Sequence, residues 1–510
     1  MFLKSTWFKV IVAVIFIWGI TLRSVEVLNH NFLFGFDNGR DFMIARDMVE
    51  NHKLRLIGAE AGSGSAALKG LFHGPGYYYL LALSYVVFQK NPYGALIIMF
   101  LFGITTMVLT YKLTYKIFGR YAAMAALFMV SVSDLVVSQS RFIWGPHPIF
   151  PFIILSLFFL YRAYVKPQLG IPLALLFASW TYHFHIGVAV PMVLSILISE
   201  IFIYRIKSLK IYLLSMFAVI LGFLPMLLFE LRHNFLALSN LFNYFTDSTY
   251  AKIPINWVFF KEHLFSYWYN FVNTYLFPFS AIPIMVQTIL ILVVLGLVFW
   301  IIRSEKDHAN QRFFRSTTLM VAVSFIFYLQ LRDTIWDFYL LHNRLIYILL
   351  FAYAIGLYIR KLQQGRLIFS IKAILFLFFI SMAIGSIQRM NASFRYDYAE
   401  KPIFQKIKGK IAIIDYIYND AKGNNFNIIV SVPYLHPYPY QYLLETYARS
   451  RFGFVPADHK NGLVYMIVEP DRDQPWMRSD WILKQSAGSE LISEREILPD
   501  LIIQKRIYEE

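Results

Sequence analysis

The chain has 510 residues; 58% are hydrophobic, 18% aromatic and only 15% charged, against about 25% charged in a soluble domain, and its mean hydropathy is +0.53. A water-soluble protein of this size could not hide that much apolar surface, which makes soluble enzyme, nucleic-acid binder and disordered scaffold poor readings. The net charge of +16 lies wholly in the apolar part, since the first 388 residues carry 31 basic and 15 acidic side chains whereas residues 389–510 carry 16 of each.

The composition points to a polytopic α-helical membrane protein. Apolar stretches long enough to cross a bilayer, about 20 residues, are read near 7–24, 93–111, 120–138, 147–164, 168–182, 185–204, 210–230, 280–302, 315–332, 343–360 and 367–388, about eleven in all. The first is flanked by Lys4 and Lys9 and lacks a small-residue cleavage site, so it reads as a retained anchor. With a cytoplasmic N-terminus, the even-numbered connections are short and rich in Lys and Arg (Lys112, Lys116 and Arg120; Arg162 and Lys166; Arg303 to Arg315), as cytoplasmic loops should be. Three regions then face outward: a first loop of about 25–92, a loop of about 231–279, and everything after 388. Pro75–Phe88 is apolar but has only about 14 residues, and counting it as a span would invert the later loops. It reads as an interfacial helix, with Tyr77–Tyr79 at headgroup depth.

The first outward loop opens with Gly35-Phe36-Asp37-Asn38-Gly39-Arg40-Asp41. Asp37 and Asp41 are one helical turn apart, so their carboxylates share a face. Such a pair is either a helix N-cap with a solvated face, or a general base or metal ligand at the membrane edge. The loop closes on His73 in His-Gly-Pro-Gly. The second outward loop carries Arg141, Trp144 and His147; a guanidinium there suits either an interfacial anchor or a phosphate. His183 and His185 lie between the fifth and sixth spans. Arg332, Asp337, Tyr339, His342 and Arg344 form a further outward cluster. Ionisable groups at membrane edges are functional candidates.

After Arg389 the pattern changes. Asn427–Val432 and Leu463–Val468 read as strands, Pro402–Ala421 and Tyr438–Arg449 as helices, and Glu490–Glu496 with Leu501–Tyr508 as a closing pair. This predicts a small α/β domain, 389–510, beside a transmembrane domain, 1–388. There is no cysteine, which excludes disulfides and thiolate chemistry.

These motifs resemble the GT-C membrane glycosyltransferases, in the branch of protein O-mannosyltransferases and lipid A aminoarabinose transferases. Phe36-Asp37-Asn38-Gly39-Arg40-Asp41-Phe42-Met43-Ile44-Ala45-Arg46 is similar to that family's acidic motif, with Asp37 in the catalytic position. His73-Gly74-Pro75-Gly76-Tyr77-Tyr78 resembles its Lys-Pro-Pro-x-Tyr-Tyr segment, and Ser140–Trp144 its Arg-containing second loop. Asn38 stands where an acid often follows, and no carboxylate flanks Arg141.

The resemblance implies an inverting hexosyl- or pentosyltransferase of the cell envelope that uses a polyprenyl-phosphate-linked sugar. Asp37 would be the base, Arg141 the binder of the donor phosphate, and Asp41, His73, His183 and His185 supporting groups or ligands of a divalent metal ion. His147, Arg332, Asp337, Tyr339, His342 and Arg344 would be secondary candidates. The acceptor would be a protein, lipid or polysaccharide, and membrane lipids would be partners; nucleic acid would not. The protein would sit in the cell (inner) membrane with its C-terminal domain outside. A lipid-linked-sugar transporter or other non-enzymatic membrane protein is the alternative; it would place its charges at mid-span depth, in a chain with repeat symmetry.

Overall fold

The computed structural model describes residues 5–61, 70–247, 253–275, 305–332, 334–361, 403–433, 436–471 and 474–509, with scattered positions between 285 and 303 and between 379 and 395. Among these, four helices are long and apolar enough to cross a membrane: Thr6–Arg23, Tyr93–Phe118, His308–Leu331 and Asp337–Leu357. A fifth arises if Leu209–Gly222 and Leu224–Arg232, bent by 69° at their junction, count as one span. Shorter apolar helices pack beside them, among them Gly76–Val87, Arg120–Val132, His147–Arg162, Pro167–Trp180 and Ile186–Phe202. The expected spans at 280–302 and 367–388 lie largely outside the described residues. The span expected at 120–138 breaks at Ser133, whose backbone is extended.

Among the described residues Tyr93–Phe118 is the longest helix. Its 26 residues reach about 39 Å, more than the hydrocarbon thickness, so Lys116 and Arg120 lie a full membrane width from Tyr93. Gly76–Val87 has only 12 residues, about 18 Å, too short to cross. It instead runs beside the helix Phe36–Glu50, tied near one end by Tyr78 to Asp41 (3.3 Å) and near the other by Tyr85 to Glu50 (2.6 Å). Tyr77 and Tyr78 are buried in the protein, and only Tyr79 of the three is exposed. The cluster therefore packs against neighbours more than it meets headgroups.

The C-terminal segment carries a four-stranded sheet in the order β1-β2-β4-β3, with β1 Asn427–Ser431, β2 Gly462–Val468, β3 Ser489–Leu498 and β4 Leu501–Tyr508. β1 and β2 are parallel; β4 is antiparallel to both β2 and β3. Val464 through Val468 are fully buried, as a central strand covered on both faces requires. The helix expected from Pro402 starts at Ile407, because Phe404 and Gln405 form a turn and Lys406 is held extended against the first loop. Leu33 and Lys406 form a β-bridge, flanked by Phe34 N–H to Gln405 O (3.1 Å) and Ile407 N–H to Phe32 O (3.0 Å).

That bridge is one of several bonds between the two regions. Phe34, Phe42 and Tyr442 form a buried aromatic cluster, Arg46 pairs with Glu445, and the Tyr442 hydroxyl donates to Lys90 O at 2.6 Å. Gly39 lets the helix Phe36–Glu50 lie directly on the tail: a Cβ there would stand 2.3 Å from Pro439 N and 2.5 Å from Tyr438 C.

Candidate active site

The junction of first loop and tail encloses a cavity of about 920 Å³. Asp37, Arg40 and Glu60 line it from the first loop, and Lys410, His436 and Glu469 from the tail. Asp37 is the single residue of the sequence-derived candidates that opens onto it.

The helix carrying Asp37 begins at Gly35, where the Asn38 side chain returns to accept the Gly35 N–H at 3.0 Å. Asp37 is thus not the N-cap. It sits in the first turn, where the helix dipole favours an anion, and its side chain is 47% exposed. Asn38 also donates to Ile143 O at 2.5 Å and so fastens this turn to the second loop.

Asp41, one turn on, is almost fully buried. Arg40 lies between the two carboxylates: Nη1 is 2.9 Å from Asp37, and Nη2 and Nε are 2.8 and 2.9 Å from Asp41. Burial lifts the Asp41 carboxyl to about 6, against the pull of Arg40. Three of the five N–H groups of Arg40 are spent on these contacts.

The other candidates fall elsewhere. Arg141 has its fork closed on Glu26, with Nε and Nη2 each 2.6 Å from a carboxylate oxygen and both side chains mostly buried. Its neighbour Phe142 reaches the cavity. His73 and His183 each accept a backbone N–H through Nδ1, from Ile186 (3.1 Å) and Gly76 (3.3 Å) respectively. They pin the His-Gly-Pro-Gly turn to the 181–186 segment; a Cβ at Gly74 would be 2.6 Å from both His183 and Tyr182. Burial, reinforced by Arg40, lowers His73 to about 4, so its ring is neutral at pH 7.

His185 packs against His73, Phe338 and Tyr339, with ring centres 4.9, 5.5 and 4.9 Å away. His147 bonds through Nδ1 to Phe142 O at 2.5 Å. Asp337 pairs with the buried Arg344 and accepts from Asn270 at 2.8 Å, and His342 is fully buried beside them in sequence. Arg332 ends the helix His308–Leu331 in a left-handed conformation. These side chains join loops to helices and do not converge on the Asp37 cavity. Among the described residues no group of three or more His, Cys, Asp or Glu is placed to hold a metal ion.

Sequence reasoning missed Arg40, Lys410, Tyr440 and Glu469. Arg40 could have been found through its i,i+3 spacing from Asp37, at which helical side chains meet; its contact with the adjacent Asp41 follows from no spacing rule. Lys410, Tyr440 and Glu469 come from separate tail elements and form no motif.

The comparisons with known proteins agree with this architecture. Residues 72–229 match the family of dolichyl-phosphate-mannose-protein mannosyltransferases. No curated protein matches the chain. Among solved structures, the crystal structure of ArnT from Cupriavidus metallidurans bound to undecaprenyl phosphate is 11% identical, with a TM-score of 0.56 over 99% of this chain and 98% of that one. The apo state of the same protein is 12% identical, with a TM-score of 0.54 over 98% of each chain. The likeness therefore spans the tail as well as the helices. In sequence over residues 72–229, and in fold over nearly its whole length, the chain is similar to the GT-C membrane glycosyltransferases.

Proposed function

We propose that this protein transfers a sugar, with inversion, from a polyprenyl-phosphate donor to an acceptor hydroxyl at the outer face of the membrane. The observation that carries this reading is the exposed Asp37 beside Arg40 in a cavity roofed by the tail. The match to dolichyl-phosphate-mannose-protein mannosyltransferases and the fold shared with ArnT, which was crystallised with undecaprenyl phosphate, support the donor class.

In the proposed step Asp37 takes the proton of the acceptor hydroxyl. The acceptor oxygen bonds to the anomeric carbon as the bond from that carbon to the phosphate oxygen breaks, and the polyprenyl phosphate leaves with the electron pair. Leaving-group charge needs a nearby cation. Arg40 fits this role better than Arg141, because it lines the cavity and, among the described residues, spends three of its five N–H groups, whereas Arg141 is closed on Glu26. Asp41, buried behind Arg40, would hold that guanidinium in place. The regions 1–388 and 389–510 would serve as transferase body and extracytoplasmic roof, with Gly76–Val87 lying in the interface and the N-terminus cytoplasmic.

The test is mass spectrometry of polyprenyl-phosphate sugars and envelope glycans. A strain lacking the protein should accumulate one polyprenyl-phosphate sugar and lose one glycan modification, and Asp37→Asn should reproduce both. A strain whose lipid-linked sugars and glycans are unchanged would refute the activity.

A further inference from the structure

The roof of the cavity contains a carboxylate that the proposed chemistry does not use. Glu469 directly follows β2, and its N–H is held by Ser431 O at 3.0 Å, so its backbone is fixed by the parallel pair of strands. Its side chain is 8% exposed and faces the cavity. Both of its strong partners bind one oxygen: Lys410 Nζ lies 2.7 Å and the Tyr440 hydroxyl 2.8 Å from Oε1. Lys410 is itself buried and rests over the Tyr440 ring, 4.4 Å from its centre. No hydrogen bond of Oε2 is found among the described residues, nor is that atom among those sealed from solvent without a partner.

A buried ion pair of this kind is a poor stabilising device, since apolar side chains of similar volume often do as well or better. What it achieves is geometry. One carboxylate oxygen is anchored by an ammonium and a phenol, and the carboxylate lines a cavity that Phe36, Phe142 and Phe404 line as well. An acceptor-only group in a cavity lined by aromatic side chains suits a carbohydrate, whose hydroxyls donate and whose C–H faces pack on rings.

We propose that Glu469, fixed by Lys410 and Tyr440, binds a sugar hydroxyl in this cavity and is a specificity determinant contributed by the tail. The inference rests on the transferase reading. The sugar is either that of the donor or one on the acceptor.

The experiment uses full-length protein in nanodiscs, with Glu469→Gln and the milder Tyr440→Phe, each checked for a wild-type unfolding midpoint. Affinities are measured for undecaprenyl phosphate and for undecaprenyl phosphate carrying mannose, glucose or galactose. Transfer is measured from the lipid extract of the deletion strain onto membrane vesicles of that strain. If the donor sugar is read, Glu469→Gln keeps the affinity for bare undecaprenyl phosphate and loses about tenfold or more for a sugar-bearing form, as expected for a hydrogen bond to a charged group. If the acceptor is read, donor affinities hold and the concentration of vesicles giving half-maximal transfer rises about tenfold or more. Tyr440→Phe should move the same quantity less. Unchanged sugar preference together with unchanged transfer in folded Glu469→Gln overturns the inference. Failure of the transferase reading would look different: the wild type itself would bind no undecaprenyl phosphate and transfer nothing.

Discussion

Gly39 lies within a helix, where replacing glycine by alanine normally stabilises by about 0.5–1 kcal/mol. The geometry predicts the opposite sign. A Cβ at position 39 would lie 2.3 Å from Pro439 N, 2.5 Å from Tyr438 C and 2.8 Å from Pro439 Cα. All three are backbone atoms, which cannot swing aside like the end of a side chain. Ordinary carbon contacts need about 3.5 Å or more, so the tail must retreat by about 1 Å from the helix Phe36–Glu50. Overpacking of this kind costs about 1–3 kcal/mol. The displacement also falls on the joint that roofs the cavity, where a misplacement of about 1 Å can cost on the order of 100-fold in rate. Gly35 provides the control, since a Cβ there meets nothing within 4 Å and its φ is −96°. Gly39→Ala should lower the unfolding midpoint in detergent, hasten proteolytic nicking between the tail and the helices and cut transfer, while Gly35→Ala leaves the midpoint and the nicking near wild type. Equal stability and equal nicking for the two variants would refute the docking of tail on loop.

Three further outcomes follow from the same structure. Burial raises the Asp41 carboxyl to about 6, so the folded state binds this proton more tightly than the unfolded chain, whose carboxylate titrates near 3.8. The stabilisation, of order 3 kcal/mol, is fully present below about pH 3.8 and lost as pH rises through about 6; Asp41→Asn should abolish the part of the midpoint's pH dependence that falls in this window. Arg141→Ala and Glu26→Gln should each cost about 1.5–3 kcal/mol, and the double variant little more than either alone; strictly additive losses would mean the two side chains act independently. Reporter fusions after Lys116 and after Arg389 should report opposite sides of the membrane, the first cytoplasmic; a shared side would overturn the orientation.

The parts of this architecture that were legible in the sequence were those with a local period. Apolar runs marked the helices Tyr93–Phe118 and His308–Leu331, and short runs rich in Val, Ile and Tyr marked β1 and β2 to within a residue or two. Asp37 and Asp41 were legible as a pair one turn apart. Their unequal environments were not, because exposure of one and burial of the other depend on Tyr78 and on the tail. Arg141 was read as available, and only folding brings it to Glu26, 115 residues away. Lys410 and Glu469 are 59 residues apart on a helix and at a strand end, where no spacing rule applies. His73 was read as a supporting group or metal ligand in a Gly/Pro turn, yet the glycines of that turn serve close packing on Tyr182 and His183.

In the proposed mechanism Asp37 accepts the acceptor's proton. Asp37→Asn preserves shape and polarity but removes the base, and the residue's exposure means that folding should be unaffected. The direct measurement is single-turnover sugar transfer by equal amounts of folded wild-type, Asp37→Asn and Asp41→Asn protein. The account predicts a loss of about 10²–10⁴ in rate for Asp37→Asn, with undecaprenyl-phosphate binding retained, and a smaller loss for Asp41→Asn. Normal turnover by folded Asp37→Asn would contradict the mechanism, and the reverse ranking would move the base to Asp41.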